Sequence, residues 1–149
     1  MTNAVKQAWI RNRDGLPQEE GVTMTIDSKN GFVLYEWKDG QQMQKVEICY
    51  WNETDGKHKL IAWNAVSFFD GRYSPGQYDA LVFYRYDNTS KKMSLFHNPG
   101  FEVEYGTEDG AWISYALPRS GKDITVSYWY ENANTKQKVL KWNGSGFGF

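Results

Sequence analysis

The sequence is poor in the residues that cross-link, charge or anchor a small protein. Its single cysteine, Cys49, cannot form an intramolecular disulfide, and its two histidines show no spacing typical of a metal site. The net charge is −1 with acidic and basic residues interspersed, so nothing attracts nucleic acid over a long range. No stretch approaches the ~20 apolar residues of a membrane span. A glycine-rich phosphate loop and a nucleotide fingerprint are also missing. We therefore expect no metal, no cofactor, no nucleic acid partner and no membrane span.

Aromatic residues are abundant where leucine is scarce. The chain has seven Trp, ten Tyr and eight Phe, which together make up 17% of its 149 residues. Aromatic and β-branched side chains fit a pleated, half-buried surface better than a helix. The composition therefore predicts an all-β protein, and the length predicts one domain spanning residues 1–149.

One series of landmarks occurs twice in the chain. Residues 22–69 and 101–149 carry it in full, so that Tyr50-Trp51 of the first copy matches Tyr128-Trp129 of the second. A partial copy lies at residues 79–97. A repeat of this kind describes architecture rather than chemistry. It predicts an internal pseudo-twofold relation between the two halves.

Period-two alternation broken by turn residues runs through most of the chain. A short N-terminal helix is predicted at 3–12, where Asn3 can cap it. The connections are short and rich in Asp-Gly and Asn-Gly, which favours antiparallel hairpins, except for a longer loop at 65–78. The expected fold is a meander of about ten strands that forms a β-sandwich or an up-and-down barrel. The predicted strands are 22–27, 31–37, 44–51, 58–64, 79–86, 92–97, 101–105, 111–117, 123–130 and 137–142.

Aromatic residues on a sheet face are the first candidates for a binding site. Trp51, Arg85 and Trp129 occupy equivalent positions in the three copies, so they would line up if their strands shared a sheet. If the valine, isoleucine and tyrosine side of strand 44–51 is the core, both tryptophans lie on the wetter side. Flat exposed aromatics there would form a platform for the rings of a carbohydrate. The structural alternative is that both faces are covered and that these tryptophans are buried, as is common in small β domains.

The loop at 65–78 is the second candidate. It carries Phe68, Phe69, Tyr73 and Tyr78 around glycine and proline. Aromatic side chains are enriched in protein interfaces. The loop therefore suits a module that binds or inhibits another protein. A third hypothesis is a barrel-type carrier that holds a small apolar ligand in its interior.

Catalysis ranks last among the hypotheses. Glu102 and Glu104 are two residues apart, so the strand rise would place them roughly 7 Å from each other, a separation that glycosidases also use. However, any solvent-facing strand shows this pattern, and no nucleophile elbow is present. We therefore predict a non-enzymatic binding domain with no catalytic residues.

Several strand-and-turn motifs resemble those of a known group of proteins. They are GFVLY at 31–35, CYWNETDGK at 49–57, LIAWN at 60–64 and FYRYDNTSKKM at 83–93. The chain is similar in these segments to uncharacterised exported proteins or lipoproteins of gut Bacteroidetes. The resemblance implies an exported bacterial protein, periplasmic or on the cell surface, whose signal has been removed. It assigns no catalytic residue, and the sequence alone leaves a cytoplasmic location open.

Overall fold

One short helix and two antiparallel sheets make up the described part of the chain, residues 2–131 and 135–149 of the computed structural model. The helix, α1, spans Thr2–Arg13, and both of its buried residues, Val5 and Ala8, lie on one side. The strands that follow are β1 (Val22–Asp27), β2 (Phe32–Asp39), β3 (Gln42–Asn52), β4 (His58–Phe69), β5 (Arg72–Tyr73), β6 (Ala80–Asp87), β7 (Met93–Leu95), β8 (Trp112–Ala116), β9 (Ile124–Trp129), β10 (Lys136–Trp142) and β11 (Phe147–Gly148).

Both sheets are meanders. The large sheet has the order β1-β2-β3-β4-β6-β7, with β5 folded back onto the end of β4. The small sheet has the order β11-β10-β9-β8. The two sheets pack face to face, so the predicted all-β sandwich with a short N-terminal helix is confirmed. The barrel alternative is wrong, because no ladder among the described strands joins one sheet to the other.

The core lies between the two sheets. Leu60 in β4, Ile124 in β9 and Leu140 in β10 are fully buried there. The sheet face that supplies them is called the inner face of each sheet. Aromatic side chains also pack in this layer, for example Phe83 and Phe101, which meet edge to face at a centroid distance of 5.9 Å. Part of the aromatic-rich composition therefore goes into the core.

The predicted strand 101–105 does not form. Pro99 and Gly100 precede it, and Gly100 has a φ of +100°, which turns the chain across the end of the sandwich. The carbonyl of Pro99 accepts a backbone hydrogen bond from Phe147 there. Phe101 and Val103 pack against the core from this irregular segment instead. The second copy of the sequence landmarks therefore lacks the first strand of the first copy.

A buried polar cluster joins the two sheets inside the sandwich. Asn64 in β4 donates from Nδ2 to Oε1 of Glu47 in β3 at 3.0 Å and to the backbone oxygen of Tyr115 in β8 at 2.7 Å. The backbone N–H of Leu117 donates to the same Glu47 oxygen at 3.2 Å. Leaving such groups without partners would cost about 1–3 kcal/mol each. The cluster therefore holds β8 in place over β3 and β4.

Burial raises the pKa of Glu47, even though Lys45 Nζ lies 3.9 Å from its other carboxylate oxygen. Because the folded protein then holds this proton more tightly than the unfolded chain does, the free energy of unfolding is expected to fall as pH rises from about 4.5 to the raised pKa, and then to level off. Glu47→Gln should remove this part of the slope. Urea unfolding between pH 4 and 8 measures it.

The exposed Glu102 provides the matched control for this experiment. Glu102→Gln should keep the wild-type slope. Hydrogen bonds from Asn30 and Arg119 lower the pKa of Asp27 to about 2, so this carboxylate adds a slope of the opposite sign up to about pH 5, which both Gln variants retain. A Glu47→Gln protein with the wild-type slope would contradict the assignment.

Candidate functional site

The large sheet presents apolar side chains on both of its faces. The face turned away from the small sheet, called the outer face, carries them in rows, because directly paired residues point to the same side. The rows are the helix row (Met24, Tyr35, Val46, Ala65, Ala80), the middle row (Ile26, Val33, Ile48, Trp63, Val82) and the aromatic row (Tyr50, Ile61, Tyr84, Leu95).

The helix α1 lies over the helix row. Its buried residues Val5 and Ala8 form a cluster with Tyr35, Val46 and Ala65. Ile48 and Trp63 of the middle row, both partly buried, pack against the same cluster. A helix of 12 residues is about 18 Å long and about 10 Å across, so it can cover one row but not three. The middle and aromatic rows therefore remain open on most of their length.

These two rows form the floor of an open depression, here called the groove. Thr2, Lys6 and Trp9 of α1 border the groove on one side. Tyr78 and Met93 border it elsewhere, next to β6 and β7. The part of the groove above β4 and β6 has a volume of about 830 Å³, and the part above β1, β2 and β3 adds a shallower hollow of about 370 Å³.

Much of the groove surface is exposed and apolar. Tyr50 is 42% exposed, and Met93 and Leu95 are each 56% exposed, while the isoleucine and valine side chains between them are half-buried. Tyr50 lies over Gly31, where a Cβ atom would come within 2.5 Å of Tyr50 Cε1. A monomeric protein rarely leaves a contiguous apolar patch of more than a few hundred Å² uncovered. The groove is therefore the strongest candidate for a binding surface.

Charged groups occur only at the margins of the described groove. Lys59 lies in the row beyond the aromatic row, with Nζ 5.8 Å from the ring centroid of Tyr50 and 5.7 Å from that of Tyr86. It also donates to Oδ1 of Asn88 at 3.3 Å. The floor itself offers aliphatic and aromatic carbon, with hydroxyls only on its tyrosines. Such a surface suits apolar side chains better than the many hydroxyls of a carbohydrate.

The predicted aromatic platform is not formed. Trp51 and Arg85 do line up in the large sheet, where both pair with Leu60, but Trp129 belongs to the small sheet. Trp51 is only 4% exposed and lies in the core, so the alternative of a buried tryptophan holds at this position. The reason is that its strand has its wetter side on the outer face, which carries Tyr50.

Arg85 is held by an ion pair at the end of the sheet. Its Nε and one terminal nitrogen donate to the two carboxylate oxygens of the buried Glu53, at 2.9 and 3.0 Å. Next to this pair His58 contacts Asp55, and hydrogen bonds from His58 and the Lys57 backbone lower the pKa of Asp55 to about 2. These contacts tie the β3–β4 turn to β6, which gives Arg85 a structural role.

Trp129 is also engaged by neighbours. Its indole N–H donates to Oγ of Ser114 at 2.8 Å, and the Arg72 guanidinium lies 5.6 Å from its ring centroid. Phe68 packs edge to face against the same ring at 6.3 Å. Trp112, which pairs directly with Trp129 across the strands, is the more exposed of the two. Its side chain is 54% exposed.

Half of the segment 65–78 is strand rather than loop. β4 continues to Phe69, and β5 returns along it, so Phe68 and Tyr73 pair across the hairpin with ring centroids 6.2 Å apart. Tyr73 is buried, whereas Phe69 is 48% and Tyr78 68% exposed. Of the four aromatic residues proposed for an interaction loop, Tyr78 borders the groove. Phe69 is the last residue of β4 and lines a separate hollow with Trp37 and Met43.

Sequence reasoning missed the groove because it assigned that face to the core. The available signal was that β3 and β4 are apolar in both phases of their alternation, as Ile48 and Cys49 or Ile61 and Ala62 show. Sheets with two apolar faces are covered on both sides. The observed helix of 12 residues is too small for a face of this width.

No protein-family model, curated protein or solved structure matches this chain. Within residues 2–131 and 135–149, no group of three or more His, Cys, Asp and Glu side chains is placed to hold a metal ion. No helix in those residues has the length and apolar character needed to cross a membrane. The open groove is thus the feature that carries the functional proposal.

Proposed function

We propose that the protein is a non-enzymatic interaction domain that binds a partner protein through the groove. The observation that carries this proposal is an open apolar floor across the central strands, made of Ile48, Ile61, Trp63, Val82 and Tyr84. Burial of apolar area is the main favourable term in protein association. The mixture of aliphatic and aromatic side chains on a rigid sheet resembles the apolar centre of a protein interface.

The shape of the groove favours a partner protein over a small ligand. Small-molecule sites enclose most of the ligand and place a few polar groups inside the pocket. The groove is open along its length, and the polar atoms of its floor are the indole N–H of Trp63 and the tyrosine hydroxyls, with Lys59 and Asn3 at the margins. Glycan binding through sheet-face aromatics stays a prediction, but its proposed residues Trp51, Arg85 and Trp129 do not meet. The resemblance to exported Bacteroidetes proteins favours a location outside the cytoplasm.

Site-specific photo-crosslinking tests the proposed surface. With p-benzoylphenylalanine in place of Tyr84, irradiation in an extract of the source cells is expected to give a discrete protein adduct. Ile61→Asp should abolish this adduct, because it puts a charge into the apolar floor that binding would have to desolvate.

Thr125 provides the matched control, since it is a β-branched, half-exposed residue at mid-strand on the small sheet, pairing with Ala116 and Val139. Thr125→Asp should leave the adduct unchanged. Equal adduct yields from the Ile61→Asp and Thr125→Asp proteins, with both folded by circular dichroism, would refute the groove as the binding surface.

A further inference from the structure

The helix α1 shows what kind of element fits the outer face. It begins near β4 and β6, where Thr2 and Asn3 border the groove, and reaches β1 and β2, where Trp9 borders it. It therefore crosses the strands along the helix row. One side of α1, carrying Thr2, Lys6 and Trp9, faces the groove. No second helix among the described residues packs against that side.

The spacing of the rows matches a second helix beside the first. Neighbouring rows are two residues apart along each strand, or about 7 Å. The line midway between the middle and aromatic rows then lies about 10 Å from the helix row. Packed helices have axes about 8–10 Å apart. A helix seated over Ile48 and Ile61 would therefore contact both the sheet and the side of α1.

The length of the groove sets the length of its occupant. The middle row crosses five strands, from Ile26 to Val82. At about 4.8 Å between strands, this is about 19 Å. A helix rises about 1.5 Å per residue, so three to four turns span that distance. The resident helix α1, with 12 residues, has nearly the same length.

The charges at the margins of the groove determine which sign of charge its occupant should carry. Lys6 lies on the α1 side and Lys59 on the opposite side of the groove. The carboxylate that lines one end, Asp27, already pairs with Arg119 at 3.0 Å and accepts a hydrogen bond from Asn30. The flanks of the groove are therefore cationic and complement carboxylates.

From these dimensions and charges, and resting on the proposed function, we infer that the groove receives an amphipathic helix of a partner protein, about three to four turns long, with acidic residues on both flanks of its apolar face. This is a helix-in-groove mode of recognition. A second copy of this chain would not supply such a helix, because α1 contains Lys6, Arg11 and Arg13 and no acidic residue. The sheet contributes the apolar floor, and the two lysines select the charge of the helix.

Synthetic peptides test this inference with the full chain. The probe is a fluorescein-labelled 14-residue helix with leucines on one face, glutamates on both flanks and alanines elsewhere. Its three relatives carry lysine for glutamate, a scrambled leucine pattern, or a central proline. Fluorescence anisotropy at low salt is expected to show binding of the acidic helix about tenfold tighter than that of the lysine peptide, since two charge contacts of under 1 kcal/mol each give that ratio.

Variants of the protein sharpen the result. The double substitution Lys6→Glu/Lys59→Glu should invert the preference, so that the lysine peptide binds more tightly. Ile61→Asp should remove binding of all four peptides, whereas Thr125→Asp should leave it unchanged. Equal binding of the acidic and lysine peptides, or of the helical and proline-containing peptides, would overturn the inference.

Failure of the inference and failure of the proposed function give different results. In one outcome, Ile61→Asp abolishes the adduct formed from position 84, but the helical peptides bind no better than the proline-containing one. The groove then binds a protein segment of another shape, and only the inference is refuted. If the adduct is indifferent to Ile61→Asp, both fall. If analytical ultracentrifugation shows a dimer of the wild-type protein that Ile61→Asp dissociates, the occupant is a second copy and the acidic helix is excluded.

Discussion

Replacing Trp51 with alanine is expected to lower the free energy of unfolding by about 3–5 kcal/mol and the melting temperature by more than about 10 °C. The indole packs against Trp142 at a centroid distance of 5.9 Å and edge to face against Phe147 at 4.9 Å. Its N–H donates to the backbone oxygen of Lys122 at 2.8 Å. Alanine would leave a cavity between the sheets and deprive a loop carbonyl of its donor. Thermal and urea unfolding measure both quantities.

Trp112→Ala is the matched control for this experiment. Trp112 is also a strand tryptophan, but it is 54% exposed on the surface of the small sheet. Surface substitutions away from special features change stability by about 0.5 kcal/mol or less, and a half-exposed indole should lose at most about 1 kcal/mol. Similar, small losses for the two variants would contradict the placement of Trp51 in the core.

Local pattern was sufficient to predict the elements of this fold. Nine of the ten predicted strands overlap observed strands, because alternation with a period of two and Asp-Gly turns such as Asp39-Gly40 are local signals. The helix was likewise readable from its apolar spacing, although it begins at Thr2, so that Asn3, the predicted cap, lies inside it. The exception at 101–105 has alternating residues too, but the chain has to pass from one sheet to the other there. That requirement is set by tertiary packing and leaves no local trace.

The direction in which each strand faces could not be read in the same way. Val46 and Ile124 occupy matching positions of the two sequence copies, yet Val46 lies under α1 on the outer face and Ile124 lies in the core between the sheets. Both phases of alternation in β3 are apolar, so periodicity cannot tell which phase faces the other sheet. Matching landmarks of the two copies therefore do not pack equivalently, and the described residues do not show the predicted pseudo-twofold relation. This ambiguity is also why the groove was taken for core.

Polar contacts between distant segments were the least predictable feature. Asn64 and Tyr115 are 51 residues apart, and Glu47 and Leu117 are 70 apart. In the sequence, Glu47 alternates with the apolar Val46 and Ile48 and follows Lys45 by two residues, which is typical of a solvent-facing position. Its burial becomes favourable only when the Asn64 amide and the backbone N–H of Leu117, the residue after β8, donate to it. The cluster around Asn64 is therefore a test of how the two sheets are held together.

Asn64→Leu is expected to lower the free energy of unfolding by about 2–4 kcal/mol, although leucine is similar in size and more apolar. The substitution removes the donor that serves both Glu47 and the carbonyl of Tyr115, and it leaves a buried carboxylate with fewer partners. The loss should be greatest above the raised pKa of Glu47, where that carboxylate is charged. Urea unfolding at pH 5 and pH 8 measures the difference.

A double-mutant cycle separates the lost hydrogen bonds from a simple packing defect. Glu47→Leu combined with Asn64→Leu replaces the buried polar pair by apolar side chains, which is often neutral in other proteins. The double variant should therefore be less destabilised than the sum of the single variants, with a coupling free energy of about 1–3 kcal/mol. By contrast, Trp112→Ala combined with Asn64→Leu should be additive, since Trp112 makes no contact with the cluster. Additivity in the first cycle would mean that Asn64 fills space rather than stabilising Glu47, and the two sheets would then be held in register by their apolar contacts alone.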